Sequence, residues 1–250
     1  MKVVILGSAN SIPDEEHENT YLAIVGEKRV ALVDCVGSPV VRLKKAGIPL
    51  HALTDLVLTH FHPDHVSAVP LLLMDMWLSG RRDSFDIYGL TYTLDRLQAM
   101  MELYGWESWP EFFPTVLHHL PADELVPVLE ADEFRIFSSP VCHLIPTLGL
   151  RVEFASGKVM AYSCDTEPCE QVVRLAQGAD VLIHEATGAH EGHTSAAQAG
   201  EIAQRAGAKA LYLIHYPVEL PDKEGLVRQA QTRFDGPVAL AIDFLELDFG

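Results

Sequence analysis

An apolar run, Leu56-Val57-Leu58, ends at Thr59 and is followed at once by His60-Phe61-His62-Pro63-Asp64-His65. Three imidazoles and one carboxylate within six residues must either face water or converge on something that satisfies them together. Their place directly after a strand-like apolar run argues for convergence. The H-x-H-x-D-H spacing offers nitrogen and oxygen donors side by side, which suits zinc or a similar divalent ion. Whatever this chain folds into, it must hold these residues at a strand end.

The 250 residues are 48% hydrophobic, enough for one large core, so a single domain over residues 1–250 is expected. Lys plus Arg total 18 against 35 Asp plus Glu, a formal charge of −17. Such a chain has no general attraction for nucleic acid or anionic membrane, so nucleic acid is a disfavoured partner. Val3 to Leu6 reads as a first strand and not as a secretory signal. The apolar stretch from Val66 to Leu78 is interrupted by Asp75 and is too short to cross a bilayer. A cytoplasmic protein without a membrane partner is expected. Cys35, Cys142, Cys164 and Cys169 form no C-x-x-C pair and read as reduced, buried thiols.

The pattern along the chain is mixed α/β. Strands are predicted at 3–6, 21–25, 29–34, 55–59, 84–88, 134–138, 148–154, 159–163, 180–184, 210–215 and 238–248, from β-branched and aromatic residues bounded by Gly, Pro or Asp. Helices are predicted at 38–46, 66–79, 93–103, 109–113, 170–175, 195–207 and 222–233. Ser195 with Gln198 forms a capping-box pattern, Gly207 a stop, and Pro110 a first-turn proline. Ala196, Ala197, Ala199, Ile202 and Ala203 make a small-residue face.

Polar residues recur where predicted strands end: Asp34, His60, His143, Asp165, Glu185 and His215. Strand ends along one sheet edge are where open α/β architectures place ligands. A lone polar residue at a strand end is commonplace. Six of them accompanying a dense His/Asp motif imply a site.

This ordered set resembles the metallo-β-lactamase superfamily, over residues 1 to about 218. The resemblance implies a four-layer αββα sandwich. It also implies two divalent metal ions per chain, zinc first and manganese as the alternative. His60, His62 and His143 would hold one ion, and Asp64, His65 and His215 the other, with Asp165 bridging. A histidine at 62, where flavodiiron-like members carry a carboxylate, disfavours a redox role.

Within the superfamily the chain looks most like the ribonuclease Z, arylsulfatase and cyclic-nucleotide phosphodiesterase group. His184-Glu185-Ala186-Thr187 and Gly192-His193-Thr194-Ser195 carry that likeness. In the group, the histidine matching His193 is implicated in catalysis and Glu185 supports it. Ribonuclease Z carries a long RNA-gripping arm between the residues matching His143 and Asp165. Here that interval has room only for a hairpin turned at Ser156-Gly157.

The expected function is a dinuclear metal-dependent phosphodiesterase acting on small or cyclic phosphodiesters. Two close metal ions can bring the pKa of water between them near neutrality and neutralise phosphate charge. His193 would serve the leaving oxygen, Glu185 would hold its imidazole, and Asp64 would bind metal and orient the nucleophile. A ribonuclease Z-like endonuclease is the alternative, followed by a lactone, ester or arylsulfate hydrolase and by a metal-binding scaffold without turnover. A homodimer is expected through the helix over 66–79 and the aromatic insert around Trp106-Phe113. His17, His118 and His119 read as solvated surface residues, and His190 as a loop residue at the rim.

Overall fold

Adjacent residues of the first strand serve different cores, and this sets the architecture. Val3 and Ile5 join one buried cluster, whereas Val4 and Leu6 join another. Ile183 and Leu182 divide in the same way between the first cluster and a third. Side chains alternate across a strand, so a strand apolar on both faces needs partners on both sides. Two sheets face each other across the first cluster, and helices cover each outer face.

The computed structural model describes all 250 residues. The first sheet holds β1 (Lys2–Gly7), β2 (Tyr21–Val25), β3 (Val30–Val33), β4 (Asp55–Val57), β5 (Phe85–Leu90) and β6 (Thr115–Leu120) in that order. The second runs in order from β7 (Val126–Glu130) through β8 (Phe134–Val141), β9 (Thr147–Phe154), β10 (Val159–Tyr162), β11 (Val181–Glu185) and β12 (Leu211–Ile214) to β13 (Val238–Leu240). A last strand, β14 (Glu246–Asp248), returns to the first sheet beside β1.

The helices are α1 (Pro39–Lys45), α2 (Pro63–Val66), α3 (Val69–Leu78), α4 (Thr91–Leu103), α5 (Glu170–Leu175), α6 (Ala196–Ala206) and α7 (Glu224–Gln231). Leu43, Leu72, Leu73, Leu94 and Leu97 seal α1, α3 and α4 onto the first sheet. Val172, Ala199, Ile202, Ala203 and Leu226 seal α5, α6 and α7 onto the second. The α6 helix begins with the expected capping box of Ser195 and Gln198 and ends at Gly207 with φ 65°.

Several expectations are corrected. The predicted strand over 238–248 is two strands in opposite sheets, β13 and β14. Asp243, between them, accepts hydrogen bonds from Ser8 Oγ and Glu18 N and pairs with Arg42, and this turns the chain from one layer to the other. The predicted helix over 66–79 is broken after α2, because Ala68 N donates to Cys35 O while His65 O accepts from Cys35 N. No helix forms over 109–113. Pro114 has no N–H to donate back to Pro110 O, and the Trp77 indole takes that carbonyl at 2.9 Å. A short 3₁₀ turn at Trp106–Ser108 stands there instead, with Trp109 stacked on Trp77.

Strands β6 and β7 were not anticipated. His118-His119 and Pro127 mask them in sequence, yet both are edge strands, where such residues are tolerated. His118 is half-buried, stacked on Tyr88 and bonded to Asp86 at 2.7 Å. His17 is buried, bonded to Asp14 and set edge-on to Tyr216. Cys35 and Cys164 are buried free thiols, but Cys142 is exposed and Cys169 half-exposed, because both lie in loops beyond their strands. No helix is long and apolar enough to cross a membrane.

Candidate metal centre

Strands β3 and β4 pair in parallel, as do β10, β11 and β12, and all release the chain at C-terminal ends on one edge of their sheet. Asp34, His60, Asp165, Glu185 and His215 sit at those ends, and β8 delivers His143 just beyond its own. Asp34, Cys164 and His215 have φ of 63°, 53° and 54°. That backbone hand is rare for residues bearing a Cβ and persists only where the surroundings enforce it.

All seven expected ligands come together. His60 Nε2 lies 3.0 Å from His62 Nδ1, which lies 3.2 Å from His143 Nε2. Across the centre, Asp64 Oδ2 is 3.6 Å from His215 Nε2 and 3.9 Å from His65 Nε2. Asp165 Oδ2 stands between the groups, 3.5 Å from His65 Nε2 and His215 Nε2 and 4.0 Å from His60 Nε2 and His143 Nε2.

The outer hydrogen bonds set the tautomers. Thr59 Oγ1 donates to Asp34 Oδ2 at 2.7 Å and so accepts from His60 Nδ1 at 3.1 Å. His65 Nδ1 donates to Asp34 Oδ2 at 2.8 Å, and His143 Nδ1 to Gly192 O at 2.7 Å. Thr187 Oγ1 donates to His215 O at 2.7 Å and accepts from His215 Nδ1 at 2.9 Å. Each outer nitrogen therefore carries a hydrogen, leaving each Nε2 free to present its lone pair to the centre.

The donors fit metal. His65 Nε2, His215 Nε2 and Asp165 Oδ1 are buried with no hydrogen-bond partner, and buried polar atoms are rarely left so. Burial holds the pKa of His60 well below the usual imidazole value and lowers those of His62 and His143, the neutral form a ligand needs, whereas Asp165 and Asp34 outweigh burial at His65 and raise its pKa. Burial opposes ionisation of Asp165, but His215 and His65 beside it outweigh that and hold its carboxyl well below the usual range.

Glu185 is wholly buried and saturated with donors. Thr166 N, Thr194 N and His193 Nδ1 reach Oε1 at 3.2, 3.1 and 2.9 Å, and Thr187 N reaches Oε2 at 2.8 Å. Burial lowers the His193 pKa, but the bond to Glu185 and its charge more than reverse this, so the imidazole titrates above its ordinary value. The His193 ring lies 5.1 Å from that of His143 and 6.0 Å from that of His215, at the edge of the cluster. His184 is buried away from the cluster, its Nδ1 on the Glu185 carbonyl. Thr59 and Thr187 carry no signal in sequence, and Asp34 stood out only as a strand-end polar residue with no role assigned to it.

A sequence model of the β-lactamase superfamily domain matches residues 29–216. The chain belongs to that superfamily. A ribonuclease Z of Mycobacterium sp. strain KMS is 30% identical, over 97% of this chain and 94% of the relative. A ribonuclease Z of Methanothermobacter thermautotrophicus is 27% identical, over 94% and 92%. Among solved structures, the metallo-β-lactamase fold protein YhfI of Bacillus subtilis superposes with a TM-score of 0.82 at 22% identity, covering 98% of both chains. The short form of human tRNase Z superposes with 0.80 at 23%, covering both chains fully. The superfamily's αββα fold and its character as metal-dependent hydrolases therefore extend to this protein.

Proposed function

We propose that this superfamily member is a dinuclear zinc phosphodiesterase, with His60, His62 and His143 on one ion, Asp64, His65 and His215 on the other, and Asp165 shared. The observation that carries this reading is the place of Asp165 Oδ2, within 4.0 Å of a donor from each histidine pair. When bound, two divalent ions supply Lewis acidity and bring the pKa of water near neutrality.

The chain's own residues do the rest. Asp64 orients the attacking water from the rim. His193 donates a proton from Nε2 to the leaving oxygen, its Nδ1 held by Glu185 at 2.9 Å. Glu185 favours the protonated imidazole, so the acid is charged before the leaving group departs.

Small or cyclic phosphodiesters are the proposed substrates. Between His143 and Asp165 the chain forms only the β9–β10 hairpin. The alignment to the Methanothermobacter ribonuclease Z spans 289 positions, more than this chain's length, so that relative carries segments absent here. The names of the relatives favour a second reading, RNA cleavage. The test compares kcat/KM at fixed salt for a cyclic nucleotide, an aryl phosphodiester and a precursor transfer RNA, with His62→Ala as control. Small diesters cleaved faster support the proposal, and efficient site-specific RNA cleavage overturns the ranking.

The homodimer remains part of this proposal. Exposed Leu71, Leu78, Leu103 and Tyr104 on and after α3 and α4 motivate it. A monomer by light scattering at micromolar concentration contradicts it.

A further inference from the structure

We propose that Glu167 is a positioning residue that fixes His143 and His193 by pinning Gly192. The inference rests on the metal-centre reading above and concerns a side chain outside the ligand set. Three hydrogen bonds form a ring across three loops. Glu167 N donates to Cys142 O at 2.6 Å, Gly192 N donates to Glu167 Oε1 at 2.8 Å, and His143 Nδ1 donates to Gly192 O at 2.7 Å. Those loops carry His143, Asp165 and His193.

Gly192 is the weak joint of this ring. Its φ is 81°, and a Cβ there would come 2.8 Å from Leu144 Cγ and 3.1 Å from His143 Nδ1. Glycine is therefore required, and glycine leaves both flanking peptides free to rotate. One peptide supplies the carbonyl that sets the His143 tautomer. His193 follows directly. Gly192 is buried although Glu167 itself is exposed, so this surface carboxylate reaches inward to a backbone N–H instead of standing in water. Because Glu167 N binds Cys142 O through the main chain, substitutions of its side chain release only the Gly192 leg of the ring.

The experiment loads wild type, Glu167→Ala and Glu167→Gln with cobalt(II), and reads affinity and visible spectrum alongside kcat, KM and melting temperature. Outer-shell partners of metal ligands are typically worth about 10–100-fold in affinity or activity. Glu167→Ala is expected to weaken one of two cobalt ions by that factor, alter its spectrum and lower kcat more than it changes KM. Its melting temperature is expected to stay near wild type. Glu167→Gln keeps a carbonyl acceptor for Gly192 N and is expected to restore most of the loss. Wild-type cobalt affinities and spectrum in Glu167→Ala overturn the proposal, as does a Gln variant as impaired as the Ala variant. The cobalt titration needs no substrate. A wild type that cleaves no phosphodiester therefore defeats the functional reading while leaving the role of Glu167 to the cobalt result.

Discussion

Asp34 Oδ2 lies 2.8 Å from His65 Nδ1, and neither side chain is exposed. The same oxygen accepts from Thr59 Oγ1, which in turn receives His60 Nδ1. One carboxylate therefore orients a histidine from each half of the centre. It is held in place by a left-handed backbone and by Asp34 N donating to Val57 O.

Asp34→Ala is expected to weaken both metal sites and not one, by about 10–100-fold, since it removes the partner of His65 and the anchor of Thr59, which receives His60 Nδ1. Thr59 N, Thr59 Oγ1 and His65 Nδ1 also lose their acceptor. Stranded buried donors cost about 1–3 kcal/mol each, so melting temperature falls as well. Metal titration by calorimetry with a thermal melt checks this, and a variant losing one ion only contradicts the shared role.

His193→Ala is expected to lower kcat by about 10²–10⁴-fold while metal content stays at the wild-type level. Glu185→Ala should also lose activity, but with a drop in melting temperature, because it strands four donors from two loops. Elemental analysis beside steady-state kinetics separates the two, and metal lost in step with activity in His193→Ala makes that histidine a ligand instead.

The purified protein is expected to bind close to two divalent ions per chain, and chelation should abolish turnover reversibly. Metal removal should also lower the melting temperature, since a ligand at a hundred times its Kd adds about 2.7 kcal/mol to stability. In Asp165→Ala the sites should weaken together. Unchanged affinity for a single saturating ion in that variant would sink the shared assignment.

Gly200→Val tests the packing of α6. A Cβ at Gly200 would clash with the Ala230 carbonyl of α7, so the two helices must separate. Overpacking of this kind costs about 1–3 kcal/mol. A lowered melting temperature is expected with kcat near wild type well below the transition, since α6 meets the site only at its start. An unchanged melting temperature would show that the helices yield freely.

The ligand residues were legible because His60, His143, Asp165 and His215 each follow an apolar strand, while His62, Asp64 and His65 complete a dense donor motif just beyond one of them. The aromatic insert misled for a local reason too: Trp109-Pro110 reads as a helix start only if the Trp77 indole, 33 positions away in sequence, is ignored. Strands β6 and β7 were hidden because His118-His119 and Pro127 break the alternation, and only their place at sheet edges makes them tolerable. His17 read as solvated because nothing near it in sequence announces Tyr216.

Hydrophobic period and residue type by themselves determined the α/β class and marked His60, His62, Asp64 and His65 as metal donors, because both are properties of short segments, while the full set of seven candidate ligands came from the resemblance to the superfamily. Tertiary structure alone decided the roles of Asp34, Thr59, Thr187, Glu167 and Gly192. Each acts through a hydrogen bond to a residue on another loop. Which nitrogen of a histidine faces the centre depends on what the opposite nitrogen meets, and that partner exists only once the two sheets have closed on each other.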